Sequence, residues 1–149
     1  IPYQDFARAL ERRPPDADAR NLSRLVRNID VPVFLAGAWQ DEQTGPRFGM
    51  LLDDFTAVPP GKTKFTVYNG HHQDSLSPHT QNRWFEFLSF YLDRTVPRLN
   101  RLVRTFSGDV LRDIFGVPGM SIEADRFSRF GNDYAGALAA YEAEPQVRA

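Results

Sequence analysis

The stretch IDVPVFLAGAWQDEQTG, residues 29–45, decides the fold. Its middle is a continuous β-branched and apolar run between Pro32 and Gly37, which predicts a strand buried on both faces, as in parallel sheets covered by helices. DEQTG ends that strand. Beyond it Phe48, Leu51, Leu52 and Phe55 recur at helical spacing and predict a helix of about a dozen residues, with Thr44 as its N-cap. VPPGKT (58–63) stops this helix, and KFTVY (64–68) supplies a second strand.

Strand, helix, strand is a βαβ unit, and the right-handed crossover makes the two strands parallel. Both therefore end on one edge of the sheet, where ligands and catalytic groups of open α/β sheets gather. The first strand delivers AWQDEQTG (38–45) to that edge and the second delivers NGHHQDSL (69–76). All three histidines of the chain, His71, His72 and His79, fall within nine residues there.

Outward from this unit the chain is helical. Tyr3, Phe6, Ala7 and Leu10 share one helical face, as do Leu22, Leu25, Val26 and Ile29 after the RRPPDAD break, where Asp16 or Asp18 can cap. Downstream, Ser77 and Pro78 read as N-cap and N1 of a helix whose stripe of Trp84, Phe87, Leu88 and Tyr91 is expected to pack in the core. Pro97 breaks that pattern; Leu99, Leu102, Val103 and Phe106 renew it, with Gly108 expected to close the helix. A loop-like stretch and an Ala-rich helix, DYAGALAAYEAE (133–144), follow. The opening IPYQDF lacks an initiator Met, and in the closing EPQVRA an alternating strand begins and is cut off, so a piece of a longer protein is expected. The organisation expected is a helical segment over 1–30, the βαβα unit over 31–97 and a helical and loop segment over 98–149.

Composition limits the function classes. The chain has 149 residues, 42% hydrophobic and 13% aromatic, enough for one sizeable core. Its 18 Lys and Arg are scattered among 19 Asp and Glu for a net charge of −1, which offers no basic face to nucleic acid. Cysteine is absent, which excludes disulfides and thiolate metal sites and fits a reducing, cytoplasmic setting. No apolar run approaches the roughly 18 residues of a membrane span.

The rim residues point to hydrolytic chemistry. A triad needs a nucleophile, an imidazole that shuttles its proton, and a carboxylate that fixes the imidazole's tautomer. On an α/β-hydrolase sheet the chain order is Ser, then acid, then His, and Asp41 and His72 match the last two members in order and strand placement. His71 is a rival base, and Asp74 an alternative acid. No Ser sits in a G-x-S-x-G elbow; Gly119–Glu123 lacks the final Gly and lies on the wrong side of the His, which argues against Ser121. His71, His72, Asp74 and His79 could in principle ligate a metal, but adjacent histidines in an extended turn point apart and no H-E-x-x-H helix is present, so neither metal nor cofactor is expected. Trp39 is expected to line the pocket or pack beneath the acid loop. Asp53 and Asp54 read as a solvated helix face, and Arg98, Arg101 and Arg104 as an exposed helical stripe.

These stretches also resemble a known family. IDVPVFLAGAWQDEQTG, then NGHHQDSLSP and RWFEFLSFYLDRTVPRL, is similar over roughly residues 28–97 to the late catalytic region of the cocaine esterase and X-prolyl dipeptidyl aminopeptidase family, the CocE/NonD hydrolases. That resemblance implies the closing part of an α/β-hydrolase core, preceded by cap-type helices and leading toward a C-terminal β domain. It implies that Asp41 is the triad acid and His72 the base of a serine hydrolase acting on ester or peptide substrates, with the Ser upstream and this stretch inactive alone. The chain departs from the family at Ala38, where a second Gly is usual, at Gln40 in place of Tyr, and at Asn69–His72 in place of a GPWxH turn. The alternative is a non-catalytic α/β module that kept the scaffold.

Overall fold

The computed structural model describes Gln4 and residues 22–148; apart from Gln4, the first expected helix, Tyr3 to Leu10, and the Asp16 or Asp18 expected to cap the second lie outside the described residues. The described chain begins with a short helix α1 (Leu22–Leu25) continued by a 3-10 turn (Val26–Asn28), in which Val26 alone is buried. Strand β1 (Val33–Ala38) follows, then a 3-10 helix (Gly45–Leu51), strand β2 (Thr63–Tyr68) and a second 3-10 turn (His72–Leu76). Helix α2 (Pro78–Leu88) runs on into a π-helical turn (Ser89–Asp93), and α3 (Arg101–Phe115), α4 (Tyr134–Glu142) and the two-residue β3 (Val147–Arg148) complete the chain.

The three strands form one parallel sheet in the order β1-β2-β3. Helical segments cover both faces. Phe34 of β1 meets Phe87 of α2, and Lys64 beside it on β2 lies over the ring of Tyr141 in α4. On the other face Phe65 packs on Phe55, and the Phe48 ring occupies the space a side chain would fill at Gly37. The mixed helix-and-parallel-strand architecture expected from the apolar runs is therefore present. Within EPQVRA, Val147–Arg148 form a strand that joins β2 in parallel register, Phe65 opposite Val147.

The crossover departs from expectation. Phe48 and Phe55 do pack on the sheet, but the segment is a 3-10 helix followed by turns, with no α-helix of a dozen residues. Gly45 opens it in the left-handed region (φ 64°), Pro46 follows, and Gly49 lies within it, three residues of poor α-helix propensity in five positions. Thr44 makes no side-chain cap. Helix α3, in turn, passes through Gly108 and ends at Gly116, whose φ of 68° provides the left-handed cap. One mid-helix glycine disfavours a helix by only about 1 kcal/mol, too little to end a sequence that is otherwise helical.

The aromatic stripe of α2 packs as expected at Phe87, on β1, and at Tyr91, against Tyr141, but not at Trp84. Ser77 and Pro78 do open the helix, the Ser77 hydroxyl accepting from Thr80 N–H at 3.5 Å. Trp84, expected in the core, is 49% exposed, and the buried face carries Asn82, Glu86, Ser89 and Phe90 instead. Phe90 is the centre of the main apolar cluster with Val96, Phe127, Ala137 and Tyr141, stacked on Tyr141 at 4.7 Å and edge-on to Phe127 at 5.0 Å. Glu86 tolerates burial because Arg126 reaches it with two nitrogens, Nε to Oε1 at 2.7 Å and Nη2 to Oε2 at 2.6 Å, while also pairing with Glu144. Of the expected Arg stripe, Arg98 and Arg101 are exposed, Arg98 donating to the Gly131 carbonyl at 2.5 Å, while Arg104 is partly buried and pairs with Asp125.

Candidate functional site

Both parallel strands end at one rim, and their pairing continues past the strand ends. Trp39 N–H donates to the Tyr68 carbonyl at 3.0 Å and Gln40 N–H to the Gly70 carbonyl at 3.2 Å. The acid loop and the histidine turn are thereby held side by side. Gly70 is required at this point, because the Asp74 carboxylate fills the space any side chain there would need. Asp74 Oδ2 accepts from His71 N–H at 2.7 Å in a capping box that closes the His72–Leu76 turn.

Asp41 is fixed before it meets its partner. Its Oδ1 accepts from Gln43 N–H at 2.8 Å and from Thr44 N–H at 2.7 Å, so the turn after β1 orients the carboxylate. Its Oδ2 lies 2.9 Å from His72 Nδ1. The Thr44 backbone bond, then the His72 ring, hold the Asp41 carboxyl well below the usual aspartate range, against an opposing effect of burial. An ionised Asp41 accepts only, so the hydrogen between the two belongs to Nδ1 and neutral His72 keeps its lone pair on Nε2. Exposure follows the same division: the Asp41 side chain is 9% exposed and that of His72 45%. The arrangement can hold an imidazole in one tautomer with its second nitrogen free to take a proton.

The histidines are separated by their partners. His72 faces Asp41; His71 is 3.9 Å from Asp74 and largely exposed; His79 lies 3.4 Å from Glu123. Only His72 is paired with Asp41, and Asp74 braces the turn through the His71 backbone. Among the described residues no three His, Cys, Asp or Glu side chains could share an ion. Ser121 lies exposed after α3, two residues before Glu123. Asp53 is exposed, while Asp54 pairs with Arg27 at 2.6 Å.

Trp39 stands beside the rim, half exposed, packed at 5.2 Å on Phe48 and over Gly49. A cleft of about 510 Å³ between Phe85, Arg94, Arg98 and Tyr134 shares no residue with the rim. One rim residue escaped the sequence analysis: Glu42, whose Oε2 accepts from His72 N–H at 3.1 Å. The signal was present in the thirty-residue offset between the strands, which puts residue 42 opposite residue 72. Among the described residues no helix is long and apolar enough to cross a membrane. No family model, curated protein or solved structure matches the chain.

Proposed function

We propose that this chain supplies the acid and the base of a serine hydrolase that cleaves ester or amide bonds, acyl esters or X-Pro peptides being the substrates its resemblance to the CocE/NonD hydrolases suggests. The observation that carries the proposal is the 2.9 Å contact between Asp41 Oδ2 and His72 Nδ1 at the shared end of two parallel strands. In this scheme Asp41 holds His72 in the Nδ1–H tautomer and stabilises the imidazolium. Nε2 removes the proton from an attacking serine hydroxyl and returns it to the leaving group.

With no G-x-S-x-G elbow in these residues, the nucleophile and its oxyanion donors would come from sequence outside them, as would the strand that carries the serine. An α/β-hydrolase sheet accommodates this, since its acid and base follow later strands than its nucleophile. A fluorophosphonate probe tests the proposal on the full-length protein. Covalent labelling of a serine upstream of residue 1, abolished by His72→Ala, is expected. An intact, folded protein that takes no label would overturn the proposal in favour of a non-catalytic α/β module.

A further inference from the structure

We propose that Glu42 is a positioning residue for His72: its carboxylate replaces the next backbone acceptor of the β1–β2 ladder and holds the histidine turn where the ring meets Asp41. Its catalytic consequence rests on the acid and base roles proposed above; the clasp itself does not.

The strands pair residue i with residue i+30, from Val33 opposite Thr63 to Ala38 opposite Tyr68. The bonds from Trp39 N–H and Gln40 N–H carry the pairing two residues further. At Asp41 the backbone peels away, because the chain turns to bring Gln43 and Thr44 N–H onto the Asp41 carboxylate. His72 N–H, next in register, would then face no carbonyl. Glu42 Oε2 meets it at 3.1 Å.

Two consecutive carboxylates thus grip one histidine at different places, Asp41 at the ring and Glu42 at the main chain. One bond alone leaves the ring free to pivot about Nδ1 as the turn shifts. Two bonds from one short loop remove that freedom, and displacements on the order of 1 Å in a catalytic group lower rates about a hundredfold. Glu42 is itself on the surface, so its removal takes nothing from the core.

The test compares Glu42→Ala with Glu42→Gln in the full-length protein. It reads His72 amide exchange, the His72 tautomer by ¹⁵N NMR, and kcat and KM on an ester. In Glu42→Ala the His72 amide should exchange about tenfold faster, the Nδ1–H tautomer should lose its predominance, and kcat should fall about ten- to a hundredfold with KM unchanged. Glu42→Gln keeps an acceptor oxygen and should restore all three. Unchanged exchange and tautomer in Glu42→Ala would overturn the proposal, as would a Gln variant that behaves like Ala, which would make the effect one of charge. Exchange and tautomer need no turnover, so a protein that proves inactive would end the hydrolase proposal and still leave Glu42 to be judged.

Discussion

Two clusters of charge in this molecule have similar members and opposite placement. At the sheet rim Asp41, Glu42, His72 and Asp74 sit on turns, with the His72 ring close to half exposed. Beneath α2, Glu86 is 2% exposed and tied to Arg126, which also binds Glu144 just before β3. Both are hydrogen-bonded networks of carboxylates and nitrogenous bases. The rim network ends in a ring nitrogen with no partner among the described residues, whereas Arg126 spends its donors on two carboxylates. Burial works against the Arg126 charge, yet bonds to Glu86 and Glu144 outweigh it and push its pKa further up. A guanidinium shared between two carboxylates makes a brace; one accessible ring nitrogen makes a group that can exchange a proton.

That contrast breaks most sharply if chemistry and stability fail to separate. Asp41→Asn in the full-length protein should lower turnover about a thousandfold or more, because Asn favours the wrong imidazole tautomer. It should lower the unfolding midpoint only slightly, since the amide oxygen still accepts from Gln43 and Thr44 N–H. Near-full activity in a steady-state assay would remove Asp41 from the mechanism. Arg126→Met should do the reverse. It removes the two shorter of Glu86's guanidinium bonds and leaves only Arg83 at 3.4 Å, which should cost about 1–3 kcal/mol in urea unfolding, with the His72 tautomer unchanged in ¹⁵N spectra.

Gly37→Ala tests the ground between the two clusters. The added methyl meets the Phe48 ring, which also carries Trp39, so a loss of about 1–3 kcal/mol is expected by thermal or urea unfolding. The smallest effect is a null one that sharpens the contrast. A carboxyl whose pKa is depressed in the folded state contributes its stability above the ordinary carboxylate range and loses it only as pH falls through the depressed value. The Asp41 carboxyl ¹³C resonance should therefore stay flat through the region around pH 4 where ordinary aspartates titrate. A normal titration there would show that the turn does not hold the carboxylate.

Parts of both clusters were legible in the residue order and parts were not. Asp41 and His72 could be placed at one rim because both follow short apolar runs joined by a crossover of suitable length, and parallel strands share an end. Which histidine turns toward Asp41 depended on the capping box that points His71 elsewhere. Glu86 is one polar position on an aromatic helix, and nothing nearby in the chain marks Arg126, forty residues on, as its partner. The expected Trp84 face assumed that large apolar residues face inward. The structure turns a carboxylate inward because a guanidinium arrives to meet it.

The sequence by itself determined the two principal strands, their parallel sense, the Ser77–Pro78 helix start and the delivery of an acid and a histidine to one edge. These follow from local patterning and chain connectivity, which act over a few residues or one crossover. Tertiary structure alone decided that α2 buries Glu86 rather than Trp84 and that Glu42 reaches the His72 backbone. Each of these weighs weak local preferences against contacts between residues far apart in the chain, and such contacts exist only once the fold has brought them together.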